Sequence, residues 1–272
     1  MPTSDGNGAR PEIDVTKPHP ARVYDWMLGG KDNYLVDEEL ARQMLAFDPS
    51  IPLMARANRA FMHRSTRWLA EQGVRQFLDI GTGIPTEPNL HQIAQSVAPD
   101  ARIVYCDNDP IVLAHADALM RGTAEGALEF VRADAREIDT VFHEAAKTLD
   151  FDRPMAVSLI ALLHFVTDEG DADHLVNRVK EILSPGSYLV LSHVTADFHA
   201  EEDVRRAKEV AKSRGYNAAL RTRDRIERFF DGLGLVDPGL VLAEDWHPEP
   251  DGTNAHRGNL NSSTYVGVAR RA

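Results

Sequence analysis

The segment from Phe77 to Thr86, which reads FLDIGTGIPT, constrains the fold of this chain more than any other. A short apolar run leads into an acid, then into glycines at positions 81 and 83, and then into the expected start of a helix. Glycine has no Cβ, so Gly81 and Gly83 let the backbone turn sharply and approach a ligand closely. The free N–H groups of a following helix point back at that ligand. The segment predicts a nucleotide-type binding loop, with a simple tight strand-to-helix turn as the alternative.

Details of this loop argue against a dinucleotide. The dinucleotide pattern has a third glycine three residues after the second, where this chain has Thr86, and Pro85 stiffens the backbone before it. Asp79, at the carboxyl end of the predicted strand, would repel a pyrophosphate. A carboxylate at that position suits a cationic ligand, such as one that bears a sulfonium and an ammonium group.

Two later apolar segments also end in acids. Asp107 closes the run that starts at Arg102, and an acid at the tip of the second strand of a doubly wound sheet reaches ribose hydroxyls. Asn108 and Asp109 are alternatively turn or cap residues of a helix that begins with Pro110. Asp134 ends the next apolar run, where it is placed to accept a hydrogen bond from an adenine amine. A helix N-cap is its competing role.

This arrangement resembles the class I S-adenosylmethionine-dependent methyltransferases. From about residue 18 onward the chain resembles, more closely, an actinobacterial S-adenosyl methyltransferase family (DUF574-like). The segments that carry this resemblance are 20–33 (PARVYDWMLGGKDN), 55–61 (ARANRAF), 105–110 (YCDNDP) and 162–166 (LLHFV). The resemblance implies an α/β fold with a Rossmann-like, doubly wound sheet of seven strands, the last antiparallel, and a helical N-terminal extension.

The resemblance also implies S-adenosyl-L-methionine as the cofactor. Asp79, Gly81 and Gly83 are expected to hold its methionine portion, Asp107 its ribose, and Asp134 with Ala135 its adenine. The predicted cofactor-binding residues are Tyr24, Gly30, Lys31, Asn33, Arg59, Asp79, Gly81, Thr82, Gly83, Asp107, Asn108, Asp134 and Ala135.

Strand and helix patterns alternate along the chain in the α/β manner. Strands are predicted at 76–80, 102–107, 128–133, 155–160, 188–194, 240–243 and 264–269. Helices are predicted at 37–45, 53–72, 87–96, 111–120, 139–149, 172–183, 201–213 and 223–233. Residues 1–18 are expected to be a disordered N-terminus, 19–72 a helical extension or lid, and 73–272 the cofactor-binding domain. The polar segment 251–263 is expected to be a surface loop.

The N-terminal segment contains Gly29-Gly30-Lys31, which invites a phosphate-loop assignment. That assignment fails because residues 25 and 32 are both aspartate, where the motif requires glycine and then serine or threonine. A lid is the preferred hypothesis, with flat surfaces from Tyr24, Trp26 and Tyr34, a hinge at the glycines, and polar tips at Lys31 and Asn33. An arm that packs its aromatic side chains on the sheet edge is the alternative.

Methyl transfer from a sulfonium requires a general base only if the acceptor must lose a proton. His164 follows the fourth predicted strand and is the candidate catalytic residue, although it could instead cap a helix or satisfy a carbonyl. His193 and His199 lack the further ligands of a metal site, so no metal is predicted. No G-x-S-x-G motif is present to indicate a serine nucleophile.

Composition restricts the partners. The chain has 30 Lys and Arg against 42 Asp and Glu, a net charge of −12, which argues against nucleic acid. No apolar run approaches the roughly 20 residues that span a bilayer, and the N-terminus lacks a signal-peptide pattern. The lone cysteine, Cys106, fits a reducing cytoplasm. Nothing in the sequence indicates the oligomeric state.

The sequence therefore predicts a cytoplasmic S-adenosylmethionine-dependent methyltransferase that acts on an unidentified small-molecule acceptor. A non-catalytic S-adenosylmethionine-binding or regulatory protein is the alternative. An NAD-dependent oxidoreductase is disfavoured by Thr86 and Asp79.

Overall fold

The computed structural model describes residues 14–249 and 261–272. The disorder expected for residues 1–13, and most of the surface loop expected at 251–263, lie outside the described residues. Within residues 14–249 and 261–272, no helix combines the length and the apolar character needed to cross a bilayer.

A mixed eight-stranded sheet forms the centre of the described structure. Its strands are β1 Gln76–Ile80, β2 Arg102–Asp107, β3 Ala127–Arg132, β4 Ala156–Ile160, β5 Tyr188–Val194, β6 Gly234–Leu235, β7 Val241–Leu242 and β8 Thr264–Arg270. The spatial order is β3-β2-β1-β4-β5-β8-β6, with β7 paired to β8. The first five strands are parallel, and β8 runs antiparallel to β5, β6 and β7. The strand order reverses between β1 and β4, where open α/β sheets bind ligands.

The predicted doubly wound sheet with an antiparallel last strand is confirmed. The extra strand, β6, has only two residues and is too short to leave an alternating apolar pattern in the sequence.

Helices surround this sheet and build the N-terminal extension. In the described residues they are α1 Pro20–Leu28, α2 Leu35–Phe47, α3 Ile51–Glu71, α4 Leu90–Val97, α5 Pro110–Leu119, α6 Ile138–Ala145, α7 Glu169–Ile182, α8 Glu201–Ser213 and α9 Arg223–Glu227. Short 3₁₀ turns lie at Leu163–Phe165, Arg228–Phe230 and Ala243–Asp245.

Some predicted elements need correction. The helix expected at 223–233 ends as α9 at Glu227 and continues only as a 3₁₀ turn. The helix expected at 87–96 begins three residues later, because Asn89 is its N-cap and its backbone N–H donates to Gln92 Oε1 at 2.6 Å. Helix α1 was not predicted. Gly29, expected to be a hinge, ends α1 with a left-handed φ of 86°.

The central strands are buried on both faces, as parallel strands between helical layers must be. Leu78 and Val104 point toward α6 and α7, whereas Phe77 and Ile103, one residue away on the same strands, point toward α3 and α4. A third apolar cluster joins α1, α2 and α3 through side chains that include Val23, Leu40 and Ala55. This cluster places the N-terminal helices beside the carboxyl edge of the sheet.

Candidate active site

A cavity of about 720 Å³ lies at the carboxyl ends of the parallel strands. It is bounded by the loops after β1 to β4, by α1, α2 and α3, and by α8. The structure brings together at its wall most of the predicted site residues: Tyr24, Arg59, Asp79, Gly81, Thr82, Gly83, Asp107, Asn108, Asp134, Ala135 and His164. Gly30, Lys31 and Asn33 do not line this cavity.

Backbone hydrogen bonds hold the glycine loop against the tip of β2. The N–H groups of Gly81 and Thr82 both donate to the carbonyl of Cys106, at 2.8 and 3.2 Å. Gly81 has a φ of 79°, and a Cβ at this position would lie 2.7 Å from Leu162 Cδ1. A side chain there would therefore both strain the backbone and collide with the loop after β4. The cradle formed by the loop exists only because residue 81 is glycine.

Asp79 extends from the end of β1 into the cavity and is only 8% exposed. Burial raises the pKa of its carboxyl from 3.8 to about 7, an effect that the nearby Arg59 opposes and Asp107 reinforces. A cation placed beside a buried carboxyl with a raised pKa stabilises its ionised form. The site thus favours a positively charged ligand group at this end.

Arg59, on α3, lies opposite Asp79 in the same cavity. One terminal nitrogen of its guanidinium donates to the carbonyls of Thr86 and Pro88. Its Nε is buried and has no hydrogen-bond partner among the described residues. Burial lowers the pKa of Arg59, and the Asp79 carboxylate partly offsets this. A guanidinium and a carboxylate facing one space form a receptor for a ligand with both an acidic and a cationic group.

Asp107, at the end of β2, accepts hydrogen bonds from two backbone N–H groups. Gly83 donates to one carboxylate oxygen at 2.8 Å, and Asp109 donates to the other at 2.9 Å. Burial raises the pKa of Asp107, while these two bonds lower it. The bonds fix the orientation of the carboxylate at the cavity wall and leave further lone pairs for a ligand.

The end of β3 presents Asp134 beside Ala135. Arg136 binds the Asp134 carboxylate at 2.6 Å and holds its pKa at about 2, so this group stays ionised. Asn108 also donates to it, at 3.4 Å. The N-cap of α6 is Glu137, so Asp134 does not cap that helix. Its carbonyl instead accepts the Glu137 N–H in the preceding turn.

His164 lies in the 3₁₀ turn after β4 and is 6% exposed. Burial and the nearby Arg221 lower the pKa of its imidazole to about 3, so it is neutral at ordinary pH. Its Nδ1 has no hydrogen-bond partner in the described part of the chain. His193 behind it is engaged at both ring nitrogens, by the Val194 carbonyl at 2.7 Å and by Arg221 at 3.0 Å. Only His164 of this pair lines the cavity.

The remaining predicted residues form a turn around Asp25 instead. A Cβ at Gly30 would lie 2.0 Å from Asp25 Oδ1, so the close approach of this carboxylate requires glycine. Asn33 donates to Asp25 Oδ2 at 2.8 Å, and Lys31 is exposed. In contrast, Tyr24 lines the cavity and donates its hydroxyl to the Ala55 carbonyl at 3.0 Å, which joins α1 to α3.

Sequence reasoning missed the half of the cavity that lies away from the glycine loop. This half is lined by α1, α2, α3, the 3₁₀ turn after β4 and α8, through residues that include Met27, Met44, Phe47, Met54, Phe165, Lys208, Lys212 and Tyr216. Most of these residues lie on elements that were predicted correctly as helices. Their convergence depends on how distant helices pack, and no local motif signals it.

A doubly wound sheet, a glycine loop at its switch point, and acids at the tips of three adjacent strands define a Rossmann-like S-adenosylmethionine-dependent methyltransferase. The chain belongs to a particular family within this class: a family model described as S-adenosyl methyltransferase matches residues 6–272. The predicted family, function class and cofactor are thereby confirmed.

Solved structures agree with this assignment. A DUF574 family protein from Streptomyces avermitilis is 45% identical, with a TM-score of 0.90 and coverage of 96% of this chain and 100% of that chain. A protein described as a putative methyltransferase from Thermobifida fusca is 35% identical, with a TM-score of 0.85 and coverage of 98% and 99%. A search of curated proteins found no match to the chain.

Proposed function

We propose that this methyltransferase acts on a small molecule bound in the same cavity as the donor, and that the two ligands occupy opposite halves. The observation that carries this proposal is the division of the cavity wall. Asp79, Asp107, Asp134 and Arg59 lie in the half beside the glycine loop, and the other half combines apolar side chains from the helices with Asp48, Asp203, Lys208 and Lys212. A volume of about 720 Å³ is toward the upper end of the roughly 300–1,000 Å³ typical of ligand pockets, which suits two ligands held together.

The residues beside the glycine loop fit the methionine portion of S-adenosyl-L-methionine. Asp79 would bind the ammonium group, and the guanidinium of Arg59, which lines the same cavity, would bind the carboxylate. Gly81 lets the loop pack against Leu162, and Gly83, with a φ of 69° and no atom of the described residues within 4 Å of the position that a Cβ would take, leaves the backbone of the loop open to a ligand. A cation bound beside Asp79 would stabilise its ionised form. It would therefore lower the pKa of Asp79 and offset the cost of burying the carboxylate.

The other two strand tips fit the nucleoside portion. Asp107 would accept hydrogen bonds from the ribose hydroxyls with the lone pairs that Gly83 and Asp109 leave open. Asp134 would accept a hydrogen bond from the adenine amine, with Ala135 and Asn108 beside the ring. Because Arg136 keeps Asp134 ionised, this acceptor is present at any ordinary pH.

When held by Asp79, Arg59, Asp107 and Asp134, S-adenosyl-L-methionine would supply an electrophilic methyl group and would leave S-adenosylhomocysteine as the neutral thioether product. The protein contributes mainly alignment of the acceptor and exclusion of water. Helix α1 would help to exclude water, because it lies against the cavity and its N-cap residue, His19, contacts Asp109 at 2.9 Å.

His164 would orient the acceptor by a hydrogen bond to the group that is methylated. Its low pKa makes the imidazole a weak base, so proton removal by His164 would help only an acceptor that is itself readily deprotonated. With S-adenosyl-L-methionine at saturation, so that the titration of Asp79 does not limit binding, the rate of transfer should show no titration of His164 between about pH 5 and about pH 8.

Two measurements test the proposal. Calorimetric titration with S-adenosylhomocysteine and with NAD checks the donor half, where binding of NAD but not of S-adenosylhomocysteine would refute it. Incubation with a metabolite extract and methyl-labelled S-adenosyl-L-methionine checks the acceptor class. Label should appear in a low-mass product, and label found only in protein or nucleic acid would exclude a small-molecule acceptor.

A further inference from the structure

The half of the cavity away from the glycine loop presents apolar side chains of α2 and α3 to the cavity. Phe47 lines this half and is 39% exposed, which is unusual for a large aromatic side chain. Met44 and Met54 line it from α2 and α3 and are only partly buried. An apolar concave surface of this size is typical of a ligand site. Methionines in such a wall adapt to ligand shape and make favourable contacts between sulfur and an aromatic ring.

Helix α8 forms the wall opposite these residues. None of its thirteen residues, all of which the structure describes, is buried, and α2 is its main packing partner. Val204, Ala207 and Ala211 line the cavity with small apolar side chains, and Lys208 and Lys212 line it alongside them. This wall therefore combines apolar surface with two cations.

Lys208 and Lys212 line the cavity without an ion-pair partner in the described part of the chain. Residues four apart on a helix share a face, so the two ammonium groups lie on the same side of α8. Neither lysine forms an ion pair with any described residue, whereas Arg206 and Arg214, close by in the chain, pair with Glu202 and Glu39. A pair of cations left open at a cavity stands out in a chain with a net charge of −12.

Two acids, Asp48 and Asp203, line the same half of the cavity among the described residues, and neither forms an ion pair with Lys208 or Lys212. The Asp48 carboxylate accepts hydrogen bonds from the Ser50 N–H at 2.8 Å and the Ser50 hydroxyl at 2.6 Å. It also lies 3.5 Å from His199 Nε2. Asp203, in the first turn of α8, is the other acid that lines this half among the described residues. The formal charges of the two lysines and the two aspartates balance, and Glu201 and Glu209 share a second surface depression with the lysines. The feature that makes Lys208 and Lys212 available to a ligand is that neither is held in an ion pair by a described residue.

We infer that the methyl acceptor is a ring-bearing apolar carboxylic acid. Its ring lies among Met44, Phe47 and Met54, and its carboxylate reaches Lys208 and Lys212. This inference rests on the proposed function, because it assigns the half of the cavity that the donor leaves open. The group to be methylated then lies at the opposite end of the ring, toward His164.

The test compares 2-naphthoic acid with its neutral amide, 2-naphthamide, as probes of matched shape. Both are titrated calorimetrically at low salt into protein saturated with S-adenosylhomocysteine. The acid should bind about five- to tenfold more tightly than the amide, because partly exposed charge pairs contribute modestly each. The preference should shrink as salt is added.

Variants locate the source of the preference. The double variant Lys208→Ala/Lys212→Ala should lose the preference for the acid and retain the affinity for the amide. Arg206→Ala removes a positive charge from the same helix at a residue that does not line the cavity, and should leave both affinities unchanged. Far-ultraviolet circular dichroism establishes that each variant is folded.

The outcomes separate this inference from the proposed function. Failure of S-adenosylhomocysteine to bind the wild-type protein would refute the proposed donor site itself. If S-adenosylhomocysteine binds, the acceptor inference is overturned by any of three results: neither probe binds, acid and amide bind equally, or the preference survives the double substitution. Loss of the preference in the double variant alone supports it.

Discussion

The two halves of the cavity are built in different ways. The half beside the glycine loop is made of backbone and short acidic side chains at strand ends, tied down by hydrogen bonds such as that from the Gly83 N–H to Asp107 at 2.8 Å. The other half is made of long side chains on helices, and its α8 wall has no buried residue. The half at the sheet edge is therefore held rigidly by backbone hydrogen bonds, whereas the methionine-lined half, under a helix with no buried residue, can adapt to the shape of its ligand.

Asp79→Asn should have the largest effect on the donor half. Removing the carboxylate deprives the ligand ammonium of its partner, and we expect the affinity for S-adenosylhomocysteine to fall by about 2–4 kcal/mol. Calorimetry measures this, with Asp100→Asn as a control at a carboxylate that is far more exposed and pairs with Arg75. An affinity within about twofold of wild type would remove Asp79 from the site.

Asp107→Ala should have the next largest effect. The substitution removes the proposed ribose acceptor and also releases the Gly83 N–H, so we expect a loss of roughly 1.5–3 kcal/mol in S-adenosylhomocysteine affinity. The affinity for 2-naphthoic acid and 2-naphthamide, measured in the absence of S-adenosylhomocysteine, should not change. If the affinities for S-adenosylhomocysteine and for the naphthalene probes both fall, the substitution disturbs the fold, and the two halves of the cavity do not bind their ligands independently.

The pKa of Asp79 predicts a smaller, pH-dependent effect on the same half. A cation binds the ionised carboxyl, so S-adenosylhomocysteine affinity should rise roughly tenfold between about pH 5.5 and about pH 8.5, with a midpoint near 7 set by the raised pKa. Calorimetry across this range checks the rise, and Asp79→Asn should abolish it. A flat profile in the wild-type protein would contradict the pKa assigned to Asp79.

The same pKa has the opposite consequence for the ligand-free fold. The folded state raises the pKa of this carboxyl from 3.8 to about 7, so the free energy of unfolding falls as the pH rises from 3.8 to about 7. Above that pH the whole loss of stability is present. Asp79→Asn should therefore raise the free energy of unfolding by roughly 1–3 kcal/mol at about pH 8, with no gain near pH 4. Urea denaturation at the two pH values checks this, and a destabilised variant at pH 8 would refute it.

Phe47→Ala should have the smallest effect and act only on the apolar half. The side chain is 39% exposed, so its loss should cost the fold little, while 2-naphthoic acid should bind about three- to fivefold more weakly. S-adenosylhomocysteine affinity should stay within about twofold. Equal losses for the two ligands would mean that the division of the cavity is wrong.

The difference between the two halves of the cavity also explains which site residues the sequence could predict. The strand tips at Asp79, Asp107 and Asp134 were recognisable because a short apolar run followed by an acid is a local pattern, and parallel strands bring such tips to one edge. Helix α8 was predicted with the bounds that the structure shows, yet its role as a cavity wall was not, since that depends on packing against α2. Its small apolar face of Val204, Ala207 and Ala211 was the available signal.

The segment around Gly29 and Gly30 was the least predictable from local sequence. The two glycines suggested a hinge, but Gly29 ends α1 in a left-handed conformation and Gly30 makes room for the Asp25 carboxylate. Burial of Asp25 against the turn that contains Asn33 is a tertiary arrangement that overrides the usual exposure of aspartate. The lid hypothesis for Tyr24 remains a prediction, with the cavity-facing position of this residue in its favour.

A crystal structure of the complex with S-adenosylhomocysteine would show which half of the cavity holds the donor. We predict that the ribose hydroxyls lie within hydrogen-bond distance of Asp107, that the amino acid end lies between Asp79 and Arg59, and that the space beside Met44 and Phe47 stays open. S-adenosylhomocysteine bound in the apolar half, with no contact to Asp79 or Asp107, would refute the assignment of the donor to the strand tips.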